Sequence, residues 1–470
     1  LILHTLDKNT TPEAYVTQRL TALQQSPDKR FADIFAVRFT HSAHYLIGQP
    51  CQELLALVHI HESLSAFPAV NVSIFPYAHE RIRELELLTA ECESVTRYCS
   101  QQGFPWVLIS SPLLLEPVYV PKPWGQEVWY TGIEARGQAC VIGQGGSLPL
   151  PWVMEFLRHR LALAAAEQLI LLKVLDPLAD EGYGDLYFEL HEQKQEVYVV
   201  THVDKHAWPD GRGAIQLGFD QAVRDHYETN EAFKAAYCAA VSAYEQTRRE
   251  IDCLLDQKKQ EQGMALTEPV AAHNLKSWIN EFSQLVEYKG LISREKELKQ
   301  AMNSFIAQHS LAVGDVVTVP RLVPHALQHG VRVVEFQTPV YERKILSFGQ
   351  KVLTQEHWDT AEALALVDMD SKTLVEPALL LENDAIQVQR IVNFDEFEVR
   401  RIKLCGEHCV EFERYCLLMV LEGEVSIGVE GSHIKLIAGE VALIPANVHV
   451  PNWLNASTSS LLLQAIPRFV

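Results

Sequence analysis

The chain has 470 residues, too many for a single hydrophobic core, and about three domains is the expectation for that length. Its 40 Lys and Arg against 60 Asp and Glu leave a formal charge of −20, which argues against nucleic acid as a partner, because phosphate contacts need clustered cations. No stretch approaches the ~18 apolar residues of a membrane span. The first residues lack the basic and apolar parts of a secretory leader, and nine cysteines without a C-x-x-C pair suit a reducing compartment. The expectation is a cytoplasmic protein with no membrane partner.

Residues 1–117 read as an α+β segment of unknown role. Residues 31–39 and 70–75 are rich in β-branched and aromatic side chains and predict strands. Residues 78–101 carry Ile82, Leu85, Leu88, Cys92, Val95 and Cys99 at helical spacing, and Gly103 and Pro105 end the run. Beyond Pro117 short strands take over, at 128–130, 139–142, 186–190 and 196–202, with a helix predicted over 151–173. Residues 220–309 are strongly helical, with apolar stripes at Phe233, Tyr237, Ala240 and Tyr244, and later at Trp278, Phe282 and Leu285. Strand character resumes at Val313 and runs through most of the remaining chain.

Two short stretches carry the chemistry. Glu189 and His191 are two residues apart, so on a strand both side chains face one way, and Glu196 follows on the return. More than a hundred residues later Gly314, Pro320 and His325 put a histidine just after a strand and turn. Alone, Glu-x-His-(x)4-Glu also fits a solvated strand. With the second stretch, Glu189, His191, Glu196 and His325 form a mixed N/O shell for one divalent ion. Such a shell suits Zn, Mn, Fe or Co, and the residues by themselves do not choose among them.

Near the C-terminus Gly439, Pro445 and His449 repeat the second stretch, but Cys416 stands where a carboxylate ligand is needed, so no second ion is expected. His59 and His61 face one way on a strand without a third ligand, and Cys405, His408 and Cys409 lack a partner pair. Packing is the expectation for both groups.

These stretches resemble type I phosphomannose isomerases, zinc-dependent enzymes with two cupin barrels and a helical insertion. Lys122-Pro-Trp124-Gly125-Gln-Glu127-Val-Trp129 is similar to the family's opening motif. Leu171-Leu-Lys173-Val-Leu-Asp176 is similar to its strand into the metal site, and Lys194-Gln-Glu196-Val-Tyr198 to its Lys-Thr-Glu-x-Trp/Tyr. Val319-Pro-Arg-Leu-Val-Pro-His325-Ala matches Val-Pro-x-Gly-x-x-His-Ala, and Glu335 follows ten residues later. Two departures stand out. Glu189 replaces the family's glutamine, making the site one charge more negative, and Glu192-Gln193 replaces Pro-Asn.

The resemblance spans roughly 118–470. It implies a mainly β fold with α, built from two cupin (jelly-roll) barrels, a helical insertion and the extra N-terminal α+β segment. The domains would be 1–117, a metal-binding cupin of 118–219 with 311–375, the insertion 220–310, and a C-terminal cupin 376–470 without metal. It implies an aldose–ketose isomerase of the mannose 6-phosphate/fructose 6-phosphate type, working through an enediol, with a small sugar phosphate as its partner molecule. Arg343 would steady the enediolate and Glu335 would move the proton. Lys194, Lys122, Trp124 and Glu127 would meet the substrate. Two alternatives stay open: a regulatory cupin that binds a sugar or its phosphate without turnover, and an isomerase of unphosphorylated sugars. Oligomeric state is not legible.

Overall fold

The computed structural model describes residues 1–25, 32–62, 68–161, 169–266, 268, 270–352, 355–370, 376–429 and 432–468, with backbone alone at 411–412, 429, 432 and 447–452. The chain is mainly β with helices. It divides into two compact units, one of Leu1–Tyr119, Trp129–Lys173 and Glu376–Val470, the other of Val120–Val128 and Val174–Val375. This division departs from the expected one, which set 1–117 apart and joined 129–173 to the metal-binding half. The cause is strand pairing. Leu113–Glu116 hydrogen-bonds Val441–Ile444, with Leu113 opposite Leu443 and Leu114 opposite Ala442, so the N-terminal segment completes a C-terminal sheet.

In the first unit a five-stranded sheet takes the order Leu3–Thr5, Asp33–Ser42, Cys51–His61, Ala69–Pro76, Val107–Leu108. Leu55, Leu57 and Phe75 from this sheet pack against Leu85, Val95 and Cys99. The helix predicted over 78–101 is two helices, His79–Leu87 and Cys92–Gln102, because Leu88 and Glu91 are extended. Gly103 ends the second with φ 71°, a left-handed cap that glycine adopts without steric cost. The helix predicted over 151–173 is also corrected. Leu150–Met154 is helical, 162–168 lie outside the described residues, and Leu171–Pro177 is a strand. Phe31 and the side chain of His449 likewise lie outside the described residues.

The second unit is a sandwich of two sheets. One has the order Val316–Val319, Glu196–Val203, Val331–Gln337, Leu171–Pro177, Gly125–Trp129, Val118–Lys122, and the other Ile306–Leu311, Gly213–Phe219, His325–Leu327, Phe188–Leu190, Lys344–Ser347. Tyr198, Val200 and Val333 from the first share a core with Ile215, Leu217 and Leu327 from the second. Neither sheet closes on itself in its pairing order, so the barrel expected here is an open pair of sheets among the described residues.

The insertion is helical over Asn230–Glu261, Ala272–Gln284 and Val286–Asn303. Thr229 starts the first of these, its Oγ1 accepting from the N–H of Ala232 at 3.1 Å. Tyr237, Val241 and Tyr244 then bury one face in the sandwich core. The insertion ends sooner than expected. Ile306–Leu311 alternates inward and outward and forms an edge strand, with Gln308 opposite Gln216. Among the described residues no helix is long and apolar enough to cross a membrane.

Candidate metal centre

The two sheets of the second unit bring three residues together. His325 opens the His325–Leu327 strand directly opposite Glu189, and His191 lies just past the end of Phe188–Leu190. Glu196 comes from the facing sheet, at the start of Glu196–Val203, opposite Gln337 and Val319. Glu196 Oε1 is 3.3 Å from Nε2 of His191, and its Oε2 is 3.1 Å from Nε2 of His325. One donor atom from each residue lies within 4.8 Å of the others, and all three side chains are buried.

Backbone groups fix the tautomers. His191 Nδ1 is 3.0 Å from the carbonyl of Glu342, and His325 Nδ1 is 3.2 Å from that of Val323. A carbonyl only accepts, so each Nδ1 carries a proton and each Nε2 is the nitrogen left facing the Glu196 carboxylate, where either a proton or a metal ion would sit between them. Orientation of a ligating imidazole through its other nitrogen is the usual outer arrangement of a metal site. Donors held at metal–ligand distances of about 2.0–2.1 Å in a tetrahedron lie ~3.3 Å apart. The Glu196 separations are close to that, so the residues fit a divalent ion.

Burial pushes the Glu196 carboxyl up, but the Lys194 ammonium and the two imidazoles outweigh it and hold the carboxyl well below its ordinary range. Lys194 Nζ is 3.0 Å from Oε1, and Tyr198 Oη donates to Oε2 at 2.6 Å. Burial, with Glu196 next, keeps the Tyr198 hydroxyl protonated by raising its pKa well above the ordinary value.

Glu189 stands apart from the triad. Its Oε1 is 3.8 Å from His191 Nε2, and its Oε2 faces the Arg343 guanidinium at 3.8 Å. The four-membered ligand set expected from sequence is thus three tight members and one carboxylate drawn toward an arginine. Arg343 itself stacks over the Tyr187 ring at 4.5 Å.

Glu335 is opposite Tyr198 on the neighbouring strand, so it shares the inward face with Tyr198 and Glu196, and it is 1 % exposed. Lys122 and Glu127 pair with each other at 3.1 Å. Trp124 lies on the strand-entry turn before Gly125–Trp129. At 2 % exposure it packs in the sandwich core. The glycine after it is required by close approach, since a Cβ on Gly125 would collide with the carbonyl of Asp176. In the sequence Tyr198 stood out only as part of a motif, and its bond to Glu196 went unread. The signal was present, because Glu196 and Tyr198 are two apart on one strand.

No family model matches the chain, and no curated protein matches it in sequence. Solved structures do. The mannose 6-phosphate isomerase of Bacillus subtilis superposes with a TM-score of 0.52 at 15 % identity, covering 75 % of this chain and 99 % of that one. A lysine-to-alanine variant of phosphomannose isomerase from Salmonella typhimurium gives 0.48 at 15 % identity, covering 76 % of this chain and 100 % of that one. A zinc-bound mannose 6-phosphate isomerase gives 0.49 at 14 %, again covering 76 % and 100 %. Over three quarters of its length the chain therefore has the fold of the Bacillus subtilis mannose 6-phosphate isomerase.

Proposed function

We propose that the protein is a metal-dependent aldose–ketose isomerase that interconverts mannose 6-phosphate and fructose 6-phosphate through an enediol. In this reading the two units are built on cupin folds, and only the second holds metal. The observation that carries the proposal is the pair of imidazoles held at Nδ1 by the carbonyls of Glu342 and Val323, with both Nε2 atoms turned to Glu196. His191, Glu196 and His325 would hold the ion, with Glu189 as the fourth group; zinc is proposed because a zinc-bound mannose 6-phosphate isomerase is among the similar structures. Bound there, the ion would polarise the sugar's carbonyl or hydroxyl oxygens and stabilise negative charge developing on them.

The remaining roles fall to the chain's own side chains. Arg343 supplies a fixed cation beside Glu189 for the enediolate oxygen. Glu335 moves the proton between the adjacent carbons. Lys194 and Lys122, now neutralised by Glu196 and Glu127, exchange those partners for the substrate phosphate. A second reading, binding of a sugar phosphate without turnover, is favoured by Glu192-Gln193 standing where the resembling family has Pro-Asn after the metal-ligand histidine.

One experiment separates the two. Metal-loaded protein is incubated with mannose 6-phosphate in deuterated water, with and without chelator. Isomerisation with deuterium entering the sugar, abolished by chelator and restored by zinc, supports the isomerase. Neither isomerisation nor deuterium uptake on mannose 6-phosphate or fructose 6-phosphate removes it.

A further inference from the structure

A cavity of about 790 Å³ in the second unit is lined by none of the three triad residues. Its volume falls in the range of small-molecule sites, roughly 300–1,000 Å³. Along Gly213–Phe219, Ile215 and Leu217 enter the sandwich core, while Gln216 between them lines the cavity. Leu217 is opposite His325, so the triad and the cavity occupy opposite sides of one backbone layer.

The charges on the cavity wall cancel. Its side chains include five carboxylates and five cations. Arg248 is held by Asp252 at 3.0 Å, Lys351 by Asp256 at 2.6 Å and Lys299 by Asp185 at 3.5 Å. A charged ligand entering here would lose water without gaining an uncompensated counter-charge, so the wall suits a neutral molecule.

Hydrogen-bonding capacity narrows the choice further. Gln328 and Gln350 both line the cavity and are buried. Nε2 of Gln328 donates to the carbonyl of Ala326 at 2.9 Å, and Nε2 of Gln350 to that of Tyr183 at 2.8 Å. A carbonyl only accepts, so both amides are fixed in orientation and each Oε1 is the acceptor left over. His329, 9 % exposed, adds a third atom. Its Nδ1 is 2.7 Å from Asp185 Oδ1 and its ring stacks on Trp208 at 4.8 Å, which leaves Nε2. None of the three atoms has a partner among the described residues, and none is sealed inside the protein. One loop ties them together, since Tyr183 receives Gln350 and Asp185 receives His329. A hydroxyl serves all three, because it donates to an amide oxygen and either donates to or accepts from an imidazole nitrogen.

Other lining residues are aliphatic. Ile251 and Leu255 come from Asn230–Glu261, Ile279 from Ala272–Gln284 and Ile292 from Val286–Asn303. Such a wall accepts C–H groups and offers them no polar partner.

The geometry points to a second ligand site in this cavity, taking a neutral sugar or polyol. Its hydroxyls bond Gln328 Oε1, Gln350 Oε1 and His329 Nε2, and its C–H groups lie against Ile251, Leu255, Ile279 and Ile292. A ring and an open chain share this chemistry. The site is independent of the isomerase reading.

The test uses the whole chain, kept in chelator so that the triad holds no metal. The probes are methyl α-D-mannopyranoside, whose ring is locked against isomerisation, and mannitol. Saturation-transfer NMR on each probe gives its affinity. Saturable binding of at least one at millimolar concentration is expected, and added salt is expected to leave it unchanged, because the ligand carries no charge to screen. Binding of the glycoside alone identifies a closed-ring site, of mannitol alone an open-chain site, and of both a site that reads hydroxyls only. Gln350→Leu, which removes one acceptor, is expected to weaken binding about three- to tenfold. Ile279→Trp, which fills the aliphatic side and leaves the three acceptors in place, is expected to weaken it about tenfold, and decides the matter should Gln350→Leu not fold. Binding of neither probe, an affinity that falls with salt, or an unchanged affinity in either folded variant overturns the proposal.

Discussion

Tyr198 donates its hydroxyl to the same carboxylate oxygen of Glu196 that His325 Nε2 faces, at 2.6 Å and 3.1 Å respectively. The phenol and the imidazole thus fix one oxygen from two directions. Removing the hydroxyl leaves the ring's packing intact and frees the carboxylate to rotate. Tyr198→Phe is expected to bind zinc about 10–100-fold more weakly while remaining folded. Competition against a chelating dye measures this, and an unchanged affinity would show that Tyr198 only packs.

Glu189 and Glu196 are both carboxylates of the expected ligand set, yet their surroundings separate them. Glu196 touches both imidazoles, whereas Glu189 approaches His191 only at 3.8 Å and is shared with Arg343. Glu196→Gln is expected to abolish zinc binding. Glu189→Gln, which restores the amide of the resembling family, is expected to retain it within about tenfold, because one contact at the edge of the set is worth no more than ~1.4 kcal/mol. Elemental analysis of the two purified variants decides. Zinc retained by Glu196→Gln at full occupancy would mean that the ligand set is wrong.

Leu322 has φ 65°, a left-handed backbone that costs a branched residue roughly 1–2 kcal/mol. Its N–H is held by the carbonyl of His191 at 2.7 Å, which ties the strain to the metal centre. Glycine removes that cost but forfeits a half-buried side chain that packs on the sandwich core. The two effects oppose each other, so Leu322→Gly is expected to change unfolding free energy by less than ~1 kcal/mol, where a buried leucine in ordinary backbone would lose 2–5. Urea unfolding provides the number, and a loss as large as the ordinary case would show that the strain is absent.

Asp185 gives the second unit an acid dependence. Burial pushes its carboxyl up, but the hydrogen bond from His329 at 2.7 Å and the charge of Lys299 hold it below the ordinary 3.8. A carboxyl depressed on folding contributes stability that is complete above its unfolded value and disappears as pH falls through the folded one. The stability difference between the natural chain and Asp185→Asn is therefore expected to stay level from neutrality down to about pH 5 and to shrink below pH 4. A difference that instead grows on acidification would reverse the sign and refute the assignment.

What could be read from the sequence follows from the two-residue period of a strand. Glu189 with His191 and Glu196 with Tyr198 share faces for that reason. The turn chemistry from Gly314 to His325 supplied the second histidine, which sits beside Glu189 on the same sheet. Side-chain spacing says nothing about backbone acceptors, so the carbonyls of Glu342 and Val323 left no trace in the residue pattern. Nor does it say which neighbour a carboxylate turns toward, which is why Glu189 looked equivalent to Glu196. The depth of Trp124 in the core was not legible either, because a motif marks a position without saying how deeply it is buried. Ile306–Leu311 was assigned to the helical run preceding it, since six residues beside a long helix carry too little periodicity to be separated from it.

The amino-acid order alone determined the predominance of strands, the helical insertion and the residue types able to hold a cation, because these depend on local periodicity and side-chain chemistry. Only the tertiary structure decided that Leu113–Glu116 joins a sheet with Val441–Ile444 and that three of the four ligand candidates converge. Each of these is a pairing between segments far apart in the chain. Such pairings are selected by the burial and hydrogen bonding of the whole fold, and no short stretch of sequence contains both partners.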